Sequence, residues 1–361
     1  LRRLSIVIVL MAVLGSSGLL AEGARAGVAT TTQVQRAVTW ADEPVSFQAA
    51  GMKIYATLRH PVGETAPVPA VLLIAGSGPT DRNGNSAVEP GPTDTLRTLA
   101  DWLSEDGVAS LRYDKLGSGQ SGLGPYADKV DSIGITVYEK EAAAALIFLG
   151  RQRDVDDQRL AVFGHSEGAL FALLLATGHA GKVPRIHALG LLEPLGLRYL
   201  DLITVQVDAQ LRAQVSAGEI TKKLESTLET TLASAVKRLR ATGKGAANLP
   251  YGLGTILNPS TAKYLYEADK FDPETLGAEV AAKTPVILSC SNADTQVSCP
   301  QVNRVAQGLS DADASATVVH LVGVDHVLKV DPTGSASNYT RALPFSPVLK
   351  KAIEKFVAAS L

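Results

Sequence analysis

The sequence predicts an α/β fold: a doubly wound, mostly parallel sheet with helices on both faces and one helical insertion. Three observations lead there. Short apolar runs alternate with segments of helical period; several of these runs are apolar throughout, not at every second residue; and between residues 196 and 282 the alternation stops. A strand that is apolar on both sides needs cover on both sides, and linking such strands by helices gives parallel pairing with crossovers on the two faces.

Taken in order, residues 45–50 and 52–59 flank Gly51 and read as two antiparallel strands that open the sheet. Residues 70–75 form a continuous apolar run that ends in Gly76-Ser77-Gly78-Pro79, the pattern of a strand buried on both faces. A helix is predicted over 94–105, with Leu96, Leu99, Trp102 and Leu103 on one face. Strand 108–113, helix 138–151, strand 160–163, helix 168–177 and strand 187–192 follow. The 196–282 segment reads as helices separated by Gly- and Pro-rich breaks. In it Ile220, Leu224, Leu228, Leu232 and Val236 make one narrow apolar stripe on a charged helix. The alternation then resumes with strand 285–288, helix 302–309, strand 317–322 and a last helix over 347–361. The expected organisation is one α/β domain over 27–361 carrying the insertion, without internal repeats. Because the insertion leaves directly after strand 187–192, on the side where ligands bind in α/β sheets, it is expected to cap the site.

Composition narrows the function classes. Hydrophobic residues at 46% and charged residues at 19% describe a globular core, not a disordered tail or a stack of membrane spans. The formal charge is −2, and no Lys/Arg cluster is interleaved with aromatics, so a nucleic-acid partner is not expected. Arg2 and Arg3, an apolar run over 4–14 and the small-x-small Ala24-Arg25-Ala26 read as a signal peptide over 1–26. The run is broken by Gly15-Ser16-Ser17-Gly18 and is short for a membrane span of about 20 residues. The alternative is a retained anchor. Cleavage implies an exported protein, secreted, periplasmic or in the cell envelope, with no stable membrane span. In that compartment the only cysteines, Cys290 and Cys299, are expected to form a disulfide; two buried free thiols are the other possibility.

The chemistry is concentrated at Gly164-His165-Ser166-Glu167-Gly168, which follows a predicted strand and precedes a predicted helix, the setting required of a G-x-S-x-G nucleophile elbow. Glycines two residues to either side let strand and helix approach closely, and the turn projects the Ser166 hydroxyl beyond the sheet. A serine hydroxyl needs a base. Of the six histidines, His326 follows the last predicted strand, whereas His60, His179, His187 and His320 lie elsewhere on the sheet or at a helix end. His165 adjoins the serine but is turned away by the elbow. The acid that orients the base should follow a strand between serine and histidine. Asp294, after strand 285–288, fits this, with Glu193 at the end of strand 187–192 as the competitor and Asp325 as a loop carboxylate. Two main-chain donors should face the developing oxyanion: the N–H of Glu167, directly after the serine, and that of Ser77, in the loop after strand 70–75.

Residues 76–82, Gly-Ser-Gly-Pro-Thr-Asp-Arg, match a GSGPxDR loop, and residues 112–121, Arg-Tyr-Asp-Lys-Leu-Gly-Ser-Gly-Gln-Ser, match an RYDxxGxGxS segment. With the elbow, these make the chain resemble the α/β-hydrolase superfamily, and within it the serine aminopeptidase-like exported esterases. The resemblance covers roughly residues 45–361 apart from the insertion. It implies hydrolysis of a carboxylic ester, or less often a thioester or amide, in a small-molecule ester or acyl substrate, with no metal or organic cofactor. The insertion matches no signature; its Tyr199, Tyr251, Tyr264, Tyr266 and Phe271 are open to two readings, lining of an acyl pocket or packing within the cap. A competing dinucleotide reading rests on a GxGxxG match at residues 117–122, but Leu123-Gly124-Pro125 follows and no helix opens there. Metalloprotease HExxH and Walker A patterns are absent. A non-catalytic binding protein of this kind would be expected to lack a triad member, and none is missing.

Overall fold

In a computed structural model, which describes residues 38–63 and 66–361, eight strands form one sheet. They are β1 (Trp40–Ala49), β2 (Met52–Pro61), β3 (Val68–Ile74), β4 (Ala109–Tyr113), β5 (Val155–His165), β6 (Ala188–Leu192), β7 (Pro285–Ser291) and β8 (Ser315–Leu321). Their spatial order is β1-β2-β4-β3-β5-β6-β7-β8. The β1/β2 and β2/β4 pairs are antiparallel and all others parallel. This is the doubly wound sheet expected from the alternation. The signal segment read at residues 1–26 lies outside the described residues.

The apolar run in β3 shows why such strands lose the usual alternation. Ala70, Leu72 and Ile74 join one core, with the helices α2 (Ile135–Leu149), α3 (Glu167–Ala176) and α9 (Cys299–Asp311). Val71, Leu73 and Ala75 join the other, with α1 (Thr95–Glu105) and α10 (Pro347–Ser360). Both faces are dry, so every residue is apolar.

Between β6 and β7 come α4 (Tyr199–Ser216), α5 (Lys222–Thr242), α6 (Leu253–Ile256), α7 (Pro259–Ala268) and α8 (Pro273–Ala278). Their apolar residues are continuous with the α2/α3 core. On α5, Leu228, Leu232 and Val236 are buried and most of the opposite face is exposed, so the four-residue stripe is its packing face.

Several elements are longer than their sequence signals, among them β1, β5, β7 and α9. Strand β7 continues through Ser289-Cys290-Ser291, which are buried although two are polar. Their hydroxyls have partners: Ser289 Oγ bonds with Glu193, and Ser291 Oγ accepts from the N–H groups of Ala293 and Val324. Helix α9 starts at Cys299 because Ser298 and Gln301 form a capping box, with Pro300 in the first turn. Its apolar face begins only at Val302.

Strand β3 lies between β4 and β5, so the chain leaves it toward one side and later returns on the other. This is the topological switch point, and the crevice beyond its carboxyl ends is where such sheets bind ligands. Helix α3 is seated against β3 there without space for a side chain: a Cβ on Gly168 would lie 2.1 Å from the Ile74 carbonyl oxygen, and one on Gly164 2.2 Å from the Gly168 backbone. Backbone on both sides leaves little room to yield. Gly168→Ala is therefore expected to lower stability by about 3 kcal/mol or to prevent folding, measured by urea denaturation; an unchanged midpoint would contradict this contact.

Candidate active site

Ser166 stands between the last residue of β5 and the first of α3, at φ 54° and ψ −121°. Such a backbone costs on the order of 1–3 kcal/mol and persists only where its surroundings enforce it. Here the two glycine contacts and the bond from Ser166 N–H to the Leu192 carbonyl at 2.9 Å do so. Ser166 lines a cavity of about 100 Å³ at the switch point, together with Gly76, Ser77, His165 and His326. Apolar walls come from Leu96 and Val327 on one side and Leu195, Leu202 and Ile203 on the other.

His326 sits in a tight loop after β8. Asp325 N–H bonds to the Lys329 carbonyl at 2.8 Å, Val324 bridges to Val330, and Leu328 takes φ 71°. The Nδ1–H of His326 donates to Asp294 Oδ2 at 2.7 Å, which leaves Nε2 as the acceptor nitrogen. His165 also serves this loop. Its Nε2–H donates to the His326 carbonyl at 2.7 Å, and burial, with His326 adding to it, pushes its pKa down to about 3, so it stays neutral. His165 is thus not turned away from the cavity as expected: it lines it as a neutral ring beside His326 and holds the backbone of that histidine. Its only local signal was its place in the elbow.

Asp294 lies on the loop after β7, inside the ring closed by the Cys290–Cys299 disulfide. Its Oδ1 accepts the N–H groups of Gln296 at 2.7 Å and Val297 at 3.1 Å. Burial acts to raise its pKa, but the neighbouring His326 and these N–H donors hold it below the usual carboxylate value. Glu193, the competing acid, is fully buried at φ 46°. Its Oε1 accepts from Ser289 Oγ at 3.2 Å, Oε2 has no hydrogen-bond partner, and Asp294 is near enough for its charge to act on the carboxyl. Two buried carboxylates cannot both be charged at such range. Burial first, and then the charge of Asp294, push the Glu193 pKa well above the ordinary value, which favours its neutral form.

The two motif segments that carried the resemblance are halves of one lock. Arg82 donates to both oxygens of buried Asp114, at 3.0 Å and 2.6 Å, and to the Ala56 carbonyl at 2.9 Å. Residues 117–122 wrap that same carboxylate, with Gln120 N–H donating to it at 2.8 Å. The glycine-rich match is thus built around an anion of the protein's own, and a short 3-10 turn follows it at Gly124–Tyr126. Beside it, Lys115 pairs with Glu167 at 3.3 Å, and Glu167 Oε1 accepts the phenols of Tyr199 and Tyr264, each at 2.6 Å. Tyr199 also lines the cavity, and Tyr264 is buried behind it. Tyr251 is exposed, and Tyr266 and Phe271 pack against the core. Among the described residues no group of three or more His, Cys, Asp or Glu side chains is placed to hold a metal ion.

Sheet order, switch-point cavity and elbow define an α/β-hydrolase fold, as the motif resemblance implied. No family model matches the chain. Esterase EstD of Thermotoga maritima is 29% identical over 237 residues, covering 64% of this chain and 48% of that protein, so the chain spans about half the length of this relative. Among solved structures, the esterase Pf2001 of Pyrococcus furiosus superposes with a TM-score of 0.55 at 14% identity, covering 92% of this chain and 95% of that one. Est1E of Butyrivibrio proteoclasticus, solved with ferulic acid bound, gives 0.53 at 17% identity, over 88% and 98% of the two chains.

The carboxyl pair makes a prediction that does not depend on turnover. Gln at position 193 can offer an amide N–H to Asp294 and a carbonyl to Ser289, whereas Leu strands both. Glu193→Gln should keep stability at pH 7 within about 1 kcal/mol and Glu193→Leu should lose roughly 1–3 kcal/mol. Equal losses in chemical denaturation would mean that Glu193 is ionised in the native protein.

Proposed function

We propose that the chain is an exported serine hydrolase that cleaves carboxylic esters through Ser166, His326 and Asp294, by way of an acyl-enzyme. The observation that carries this reading is the 2.7 Å bond from His326 Nδ1–H to Asp294, which fixes the tautomer and leaves Nε2 to take a proton in the cavity that Ser166 lines. His326 accepts the Ser166 proton as Oγ attacks the ester carbonyl. The imidazolium so formed is paired with Asp294. The N–H groups of Glu167, at the start of α3, and Ser77 receive the oxyanion. His326 then protonates the leaving alcohol, and water repeats the sequence to release the acid. The ester class is supported by the likeness to proteins named esterases. Thioesters and amides would meet the same groups, and parallel assays with p-nitrophenyl esters and aminoacyl anilides separate the classes.

Export is supported by the signal-like residues 1–26 and by a disulfide, which persists in oxidising compartments. Among the described residues no helix is long and apolar enough to cross a membrane. The 196–282 segment is read as a cap, since Tyr199, Leu202, Ile203 and Gln206 of α4 line the cavity. Leu202 and Ile203 narrow the cavity beside Ser166, so short acyl groups are favoured.

Ser166→Ala should retain the wild-type melting temperature, lose labelling by a fluorophosphonate probe and lose about 10⁴-fold or more in kcat. Activity well above that level would remove Ser166 from the role of nucleophile. Leu202→Ala or Ile203→Ala should shift preference from p-nitrophenyl acetate toward hexanoate by about tenfold in the ratio of kcat/KM, with acetate turnover little changed; an unaltered ratio would mean that α4 does not bound the acyl site.

A further inference from the structure

Both main-chain groups assigned to the oxyanion belong to segments held by one buried cation. Lys115 follows β4 and is 4% exposed. Its Nζ donates to the Gly76 carbonyl and pairs with Glu167 Oε2 at 3.3 Å. Gly76 belongs to the loop after β3 and is packed against the nucleophile, since a Cβ there would lie 3.2 Å from the Ser166 Cβ. Glu167 opens α3, and its other carboxylate oxygen is taken by the phenols of Tyr199 on α4 and Tyr264 on α7. Burial first, and then the Glu167 charge, push both phenols well above their ordinary pKa, so they remain donors. The next carboxyl, Glu141, is pushed up to about 8 by burial, and the ion pair that Lys115 makes is with Glu167.

The Gly76 carbonyl and the Ser77 N–H are two ends of one peptide group. In a trans peptide they point in opposite directions, and the described residues contain no cis bond. A cation that holds the oxygen therefore fixes the direction of the N–H. By drawing electron density toward the oxygen it also makes that N–H a stronger donor. The neighbouring residue, Asp114, grips Arg82, so the consecutive residues 114 and 115 hold the two ends of the 76–82 loop.

We propose that Lys115 is a positioning residue of the oxyanion hole: it aims and polarises the Gly76–Ser77 peptide, and Glu167 with the two inserted-segment tyrosines holds it in place. This rests on the serine-hydrolase reading. It also gives the inserted helices a part in the chemistry, because α4 and α7 must be seated for Glu167 to keep both phenols.

The test compares binding of a charge-developing adduct with binding of a ground-state ligand. A peptide-free alkyl trifluoromethyl ketone forms a hemiketal with the serine and places its oxyanion where the transition state would; the carboxylate product does not. Lys115→Met/Glu167→Gln removes both charges of the buried pair, so that neither is stranded. The folded double variant should lose on the order of 10²-fold in kcat/KM and in ketone affinity alike, with KM and product affinity nearly unchanged. Ketone affinity within threefold of wild type would overturn the proposal. Should that variant not fold, Tyr264→Phe removes one support of Glu167 and should lower kcat and ketone affinity severalfold at constant KM; no change in either would be equally decisive against it. A wild-type protein that neither hydrolyses esters nor binds the ketone, with Ser166→Ala as background, would overturn the underlying reading instead.

Discussion

The site depends on backbone contacts of α3, against β3 at Gly168 and against β5 at Gly164, made possible because these two residues have no side chains. Without them the turn at Ser166 could open, and φ 54° would relax toward an ordinary value. The same contacts bring the loop after β3 beside the start of α3, so Gly76 lies against Ser166 and the helix N-terminus opens toward the cavity. Pairing of β3 with β5 at the switch point sets which loops can meet. Close packing sets how near they come.

That dependence explains what could be read from sequence. Strands buried on both faces carry few polar residues to obscure them, so the runs at 70–75 and 187–192 are evident, and the elbow glycines mark a close approach by their identity alone. Chain order then selected Asp294 and His326, residues that the structure brings within 2.7 Å of one another across a sequence separation of 32. Long-range polar partnerships leave no such local trace. Ser289 and Ser291 read as the end of a strand because the groups that satisfy them, Glu193 and the backbone of Ala293 and Val324, are invisible in a local window. Glu193 and Asp294 both follow strands between serine and histidine, and only the three-dimensional arrangement gives Asp294 the bond to His326. Lys115 sat inside a recognised motif with no indication that its ammonium would reach Gly76.

Two sets of buried ionisable groups flank the site, and each is close to neutral. On one side Lys115 and Glu167 cancel, with two phenols completing the carboxylate. On the other, burial and the charge of Asp294 raise the Glu193 pKa and favour its neutral form, while Asp294 is the carboxylate bonded to His326. A buried ion is costly unless paired and hydrogen-bonded. Asp294 meets this with His326 and two main-chain N–H groups, and gains a full ion pair only when the imidazole takes a proton. On the proposed mechanism, charge is therefore best compensated after proton transfer, in the state where Ser166 would have given up its proton.

The disulfide acts on the same residue by another route. It closes a ring of nine-residue separation from Cys290, in β7, to Cys299, at the start of α9, with Asp294 inside. Closing a loop of about that size contributes roughly 2.5–3 kcal/mol in the chain-entropy account. The loop is already ordered in other ways: Asp294 bonds its own following backbone, Thr295 Oγ1 donates to the Gly334 carbonyl at 2.9 Å, and Ser298 caps α9. Much of the ordering is therefore duplicated, and stability is not the main consequence of the bridge. Its more specific effect is on position. A carboxylate that orients an imidazole must stay within a fraction of an ångström, since a displacement of about 1 Å can cost on the order of a hundredfold in rate. The strand end and the helix start fix the two ends of the ring, and the bridge limits how far the residues between them can move apart while the rest of the domain remains folded.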